Sequence, residues 1–204
     1  MSAEIPGGAP GPRRLSFLVR PFHGEIVYRQ VRHSWRRELW TASTGSFRWS
    51  VGVPALYTSL VEDVAIAERI KRTGAAPTRI VIGRATAAVS AVADCTTPAG
   101  LAAVGAALAD VMGPSYAIPQ RLGRQAYEQG LAGLLVPAAI IGLATIYPMF
   151  RYAPARGRAV DRAMPIEGIN LVLFPQRFGV RDTFAPDVRR RRVVIIFGRP
   201  TLVT

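Results

Sequence analysis

Glu68 is a carboxylate in a position that calls for an explanation. In SLVEDVAIAERIKR, residues 59 to 72, the side chains of Val61, Val64, Ala65 and Glu68 recur at three- and four-residue spacing. On a helix that spacing puts them on one face. A carboxylate on an apolar stripe must be paired, neutralised or used. Glu68 either edges the stripe and pairs with Arg72 four residues on, or serves a site that needs a negative charge. A second group of candidates lies just upstream, in GSFRWSVGVPALY, residues 45 to 57. Arg48 falls in a turn-rich stretch, where a guanidinium suits bidentate contact with phosphate. Tyr57 offers a flat face and a hydroxyl. The alternative is that Trp49 and Tyr57 are core aromatics and Arg48 is solvated.

Several chemistries are excluded or weakened by what is missing. His23 and His33 are too few for a metal site, so no metal is expected. The single cysteine, Cys95, rules out an internal disulfide framework and a multi-cysteine zinc site. It precedes a helix start that could activate a thiol, but reads better as a small buried residue. There is no phosphate-binding P-loop, no dinucleotide glycine fingerprint and no nucleophile-elbow serine. The net charge is +13, and Lys71 is the only lysine. So large an arginine surplus suggests an anionic partner, although scattered arginines also make an ordinary solvated surface. The run Arg189 to Arg192 reads as a strand flank or as a nucleic-acid patch.

The elements that must position these groups follow from pattern. With 204 residues, half of them hydrophobic, the chain is expected to form one domain over residues 21 to 204, behind a disordered Gly- and Pro-rich leader over 1 to 20. The leader lacks the apolar core of a signal peptide. Strands are expected at 25–31, 55–59, 78–83, 87–94, 169–174 and 193–197. A helix is expected over 60 to 72, opened by a Ser59/Glu62 capping box. Thr97 and Pro98 open another that runs through Met112, and RLGRQAYEQG forms a third, ended by Gly130. Short strands mixed with three helices make an α+β domain, with a mixed or antiparallel sheet and flanking helices. The stretch from 141 to 167 is irregular and reads as a loop insertion. The uncharged run from 130 to 150 is long enough to cross a bilayer. Pro137 and Pro148 within it argue for a buried strand, Leu131 to Val136, stopped by Pro137.

Taken together, these pieces resemble the RES domain family, named for an arginine, a glutamate and a serine. The resemblance is carried by VYR (27–29), by Gly45, Arg48 and Trp49, by Pro54 and Tyr57, and by Glu68 in AIAER. Further on it is carried by GLLVPAA (133–139) and by the strand Asn170 to Phe174. Order and spacing agree from about residue 25 to 175. In that family the GLLVP segment is a buried strand, which implies that 130 to 150 is core rather than membrane.

The resemblance implies a fold similar to ADP-ribosyltransferase toxins and a cytoplasmic toxin that consumes NAD. The bond between nicotinamide and ribose would be split by hydrolysis or by phosphorolysis with inorganic phosphate. Some relatives instead transfer ADP-ribose to a protein. Glu68 would hold the ribose and stabilise its developing positive charge. Arg48 would bind phosphate, Tyr57 would pack on the nicotinamide side, and Arg29 and Asn170 would add contacts to NAD. The implied partner is a cognate helix-turn-helix antitoxin that occludes the cleft, with nucleic acid reached only through it. At the family's serine position stands Ala138, which has no hydroxyl. It is an introduced inactivating change, a natural variant in which Ser50 or Ser59 supplies the hydroxyl, or the mark of a degenerate binding module for protein or nucleic acid. Loss of one hydrogen bond to a charged ligand, about 1.5–3 kcal/mol, attenuates turnover by about one to two decades.

Overall fold

The computed structural model describes residues 14–71, 78–138, 149–154, 160–163 and 168–196. Its frame is two long strands. β1 (Val19–Arg32) pairs antiparallel with β3 (Thr78–Asp94) along most of its length. TRIVIG and AAVSAVAD, expected as two strands, form this one 17-residue strand. Arg84, Ala85 and Thr86 between them do not break it, because β1 pairs with all three.

Three short strands fill the gap between the long ones. They are β2 (Leu56–Ser59), β4 (Gly133–Pro137) and β7 (Ile169–Leu173). The sheet order β1-β2-β7-β4-β3, with the added β1–β3 pairing, closes these five strands on themselves. β8 (Thr183–Ile196), β5 (Met149–Pro154) and β6 (Val160–Ala163) extend the sheet beyond β3. β3 and β4 run parallel, and the other pairings among the described strands are antiparallel. The class is the α+β architecture expected from the sequence, with helices flanking a mixed sheet.

β4 settles the first half of the uncharged run. All five of its residues are buried between β3 and β7, so GLLVP is a central strand, and Pro137 occupies its last position rather than stopping it. Residues 139–148 lie outside the described residues. No helix among the described residues is long and apolar enough to cross a membrane.

Other expectations shift for local reasons. α1 (Glu62–Lys71) starts without the Ser59 cap, because Ser59 belongs to β2 and its hydroxyl donates to Asn170. Arg72 lies outside the described residues. Thr97 does cap α2 (Pro98–Ala103), accepting from the Gly100 N–H at 3.0 Å. The helix does not continue to Met112, however. The chain turns at Gly105, whose φ of +65° suits glycine alone, and restarts as α3 (Leu108–Met112). α4 (Ala117–Glu128) begins before the expected Arg121.

The stretch 141–167 is not wholly irregular, since β5 and β6 lie within it and pair with each other. The run Arg189–Arg192 lies inside β8 rather than flanking a strand. Within the expected leader, residues 14–20 join the fold. Leu15 and Phe17 pack on the core, and Asp94 N–H donates to the Leu18 carbonyl.

Candidate active site

Backbone register puts the key side chains on one side of the sheet. Partners across an antiparallel pair share a face, and Ser59 on β2 stands opposite Asn170 on β7, which stands opposite Val136 on β4. Tyr57 stands opposite Val172 in the next row. Helix α1 brings Glu68 against the end of the first row. Ser59 Oγ donates to Asn170 Oδ1 at 2.7 Å, and Asn170 Nδ2 donates to Glu68 Oε1 at 2.7 Å. Ser59 and Asn170 are buried, while Glu68 is half-buried. A buried hydroxyl and amide thus fix one oxygen of the carboxylate, and a hydrogen bond to a charged acceptor is the strong kind.

A cleft opens in front of this relay because β1 and β2 separate beyond their single contact, Tyr28 opposite Ser59. Its volume is about 530 Å³, within the range of small-molecule sites. Residues 28–32 of β1 form one wall and Tyr57 to Ser59 another. Ala65, Glu68 and Arg69 of α1 close one end, and the stretch from Trp35 to Phe47 forms the rim.

Arg29 stands in the β1 wall. Its Nη1 donates to the Tyr57 carbonyl at 3.2 Å and its Nη2 to the Thr41 carbonyl at 3.3 Å. Burial lowers its pKa to about 10, which still leaves it cationic at neutral pH. Its Nε is buried with no hydrogen-bond partner among the described residues. A buried charged donor without a partner is costly. The Tyr57 hydroxyl accepts from Trp49 N–H at 2.9 Å and lies 3.1 Å from Ser50 Oγ. Its ring packs against Phe47, with centroids 5.5 Å apart.

Arg48 is not among the residues lining the cleft. Its Nη1 donates to the carbonyls of Val111 and Gly113, at 3.0 and 2.9 Å, and its guanidinium stacks 4.5 Å from the Tyr116 ring centre. Arg48 ties the 45–57 loop to the end of α3 instead of facing a ligand. The same loop is pinned by α4, where a Cβ on Gly123 would fall 1.8 Å from the Trp49 carbonyl oxygen. Ala138 is also absent from the cleft lining. It is fully buried among Val64, Ile66 and Ala67 of α1 and Ile80 and Ile82 of β3, and its N–H donates to the Gly168 carbonyl at 2.9 Å.

Of the expected site residues, Arg29, Tyr57 and Glu68 line the cleft, Asn170 is buried behind it and joined to Glu68, and Arg48 and Ala138 stand behind the surface. The cleft also recruits Arg32, Trp35 and Arg69, which sequence reasoning missed. Arg69 was signalled only by adjacency to Glu68, and Trp35 by nothing periodic. Cys95 is fully buried, and burial together with the nearby Asp94 charge pushes its thiol up to about 12, in keeping with an inert core residue. No group of His, Cys, Asp and Glu among the described residues could hold a metal.

Fold and cleft together define an α+β domain with a carboxylate–amide–hydroxyl relay facing an arginine-lined pocket. The chain belongs to the RES domain family, which matches residues 26–189. It is similar in structure to a chain in the crystal structure of the M. tuberculosis MbcT–MbcA toxin–antitoxin complex. The TM-score is 0.55 at 19% sequence identity, over 82% of this chain and 82% of that one. No curated protein matches it in sequence.

Proposed function

We propose that this RES-domain chain is the toxin of a toxin–antitoxin pair and cleaves the bond between nicotinamide and ribose in NAD. The observation that carries the reading is the relay Ser59–Asn170–Glu68, which holds a carboxylate at the end of a cleft that also contains Arg29. Nicotinamide leaves with the bonding electron pair, which neutralises its ring nitrogen. The anomeric carbon is left oxocarbenium-like. Glu68, held by Asn170, accepts a ribose hydroxyl and stabilises the positive charge without reorganising. The guanidinium of Arg29, which lines the cleft, takes the pyrophosphate, in the role the loop pattern suggests for Arg48. Tyr57, held by Trp49 and Ser50, packs on the nicotinamide side. Water then adds to the anomeric carbon and releases a proton, giving ADP-ribose; phosphate in its place gives the ADP-ribose phosphate, and a protein nucleophile gives a transferase.

Ser59 is the hydroxyl nearest in kind to the one missing at Ala138, because it already acts on Glu68 through Asn170. The burial of Ala138 supports a second reading, in which the domain binds NAD or a partner without turnover. Residues 21–204, with residues 14–20 packed on them, act as one catalytic domain in the cytoplasm. The partner is an antitoxin of helix-turn-helix type covering the cleft, by analogy with the toxin–antitoxin complex that the fold resembles.

The test is nicotinamide release from NAD, with and without phosphate, by this chain, by Ala138→Ser and by Glu68→Ala. Release that Ala138→Ser increases and Glu68→Ala abolishes supports the reading. Absence of release from folded Ala138→Ser, with NAD still bound, selects the binding module.

A further inference from the structure

The densest positive charge among the described residues lies outside the cleft, at a break in the sheet. β8 pairs with β3 at Arg192 opposite Ile82 and next at Asp187 opposite Arg84, so Val188 to Arg191 face Gly83 alone. Several residues opposite one make a bulge, and here it carries Arg189, Arg190 and Arg191, all exposed. Consecutive like charges repel, and two carboxylates offset them only in part. Asp187 lies 3.6 Å from Arg84 and 3.7 Å from Arg190, and Glu62 accepts from Arg192. Arg189 and Arg191 form no ion pair among the described residues.

Beside the bulge is a depression of about 240 Å³ lined by Tyr28, Arg84, Arg190, Arg191, Arg192 and Glu62. Tyr28 lines both this depression and the cleft. Helix α1 gives the scale. Glu62 borders the depression and Glu68 borders the cleft, six residues apart, which is about 9 Å along the helix axis. That axial spacing is of the order that separates two riboses joined through a pyrophosphate.

We propose that the arginine bulge is a subsite for a phosphomonoester on the distal ribose, so that the chain takes a 2′-phosphorylated dinucleotide, NADP, in preference to NAD. The inference rests on the proposed dinucleotide reading of the cleft and adds the substrate class. Arg192 is held in place by Glu62, while Arg190 and Arg191 supply the positive charge that meets the phosphate.

The experiment measures calorimetric binding of adenosine 2′,5′-bisphosphate, AMP and inorganic phosphate to the full chain and to the Arg190→Ala/Arg191→Ala variant. Both changed residues are exposed, so the fold survives. The bisphosphate should bind at least about tenfold more tightly than AMP, as expected for charge-assisted contacts. In the variant the ratio of the two affinities should fall toward one. AMP and the bisphosphate binding equally to the unaltered chain would overturn this inference and leave the NAD reading standing. Binding of neither nucleotide would overturn both. Inorganic phosphate competing at the bulge, with no advantage for the bisphosphate, would assign the arginines to a free anion and also refute the proposal.

Discussion

Replacing Asn170 with alanine probes how the carboxylate is held. Asn170 is buried, and it donates to Glu68 at 2.7 Å while accepting from Ser59 at 2.7 Å. Losing a hydrogen bond to a charged group costs about 1.5–3 kcal/mol. If that bond fixes Glu68 in the transition state, kcat for nicotinamide release falls by about one to two decades. The same change strands the Ser59 hydroxyl, which lowers folding stability by about 1–3 kcal/mol, readable as a shift of the urea midpoint. The two effects separate in a double-mutant cycle with Glu68→Gln, run in the Ala138→Ser background so that turnover is large enough to follow. Asn170 acts through Glu68, so Asn170→Ala should cost little further turnover once Glu68 has been changed. Independent, additive losses from the two changes would refute the relay, as would an Asn170→Ala protein with kcat within about twofold of its parent.

Three other outcomes follow from the same geometry. Arg48→Ala should act on stability before ligand binding, because it removes two hydrogen bonds to carbonyls and the Tyr116 contact; a loss of about 2–3 kcal/mol is expected in urea unfolding, and an unchanged midpoint would count against a structural role. Burial works to raise the Asp94 pKa, but hydrogen bonds from Thr96 and Arg20 outweigh it and leave the carboxyl below its ordinary value. A depressed folded-state pKa gives stability that is present above the unfolded pKa and lost as pH falls through the folded one, so Asp94→Asn should flatten the acid limb of the stability profile, and an identical limb in both proteins would show that Asp94 is not its source. Cys95, with its thiol pushed up to about 12 and no exposed surface, should react with a thiol reagent at pH 8 only after denaturant is added; rapid labelling of the native chain would contradict its burial.

The fold class and most strands were legible because β-branched runs bounded by turn residues carry their own signal. GLLVP and INLVL are buried on both faces, and a continuous apolar run is how such strands read. Local pattern and structure part where tertiary contacts override the pattern. Ser59 and Glu62 match a capping box, but Ser59 is drawn into β2 by pairing with β7 and bonds Asn170 instead. The β3 strand runs on through Arg84, Ala85 and Thr86 because β1 pairs beside them. At the site, Glu68 was visible as a charge on an apolar stripe. Its partner Asn170 is 102 residues away and has no local sequence signal linking it to Glu68. Arg48 and Arg29 are both arginines near turns or strand ends, and only packing shows that the first is held by the carbonyls of Val111 and Gly113 while the second opens into the cleft. The arginine run reads alike as a flank or a patch until its register against β3 reveals the bulge.

The most direct measurement is nicotinamide release from NAD and NADP by Ala138→Ser beside Ala138→Ser/Glu68→Ala. The first protein should release nicotinamide and the second none above background, with both folded. Equal release by the two would remove Glu68 from the chemistry and contradict the central claim.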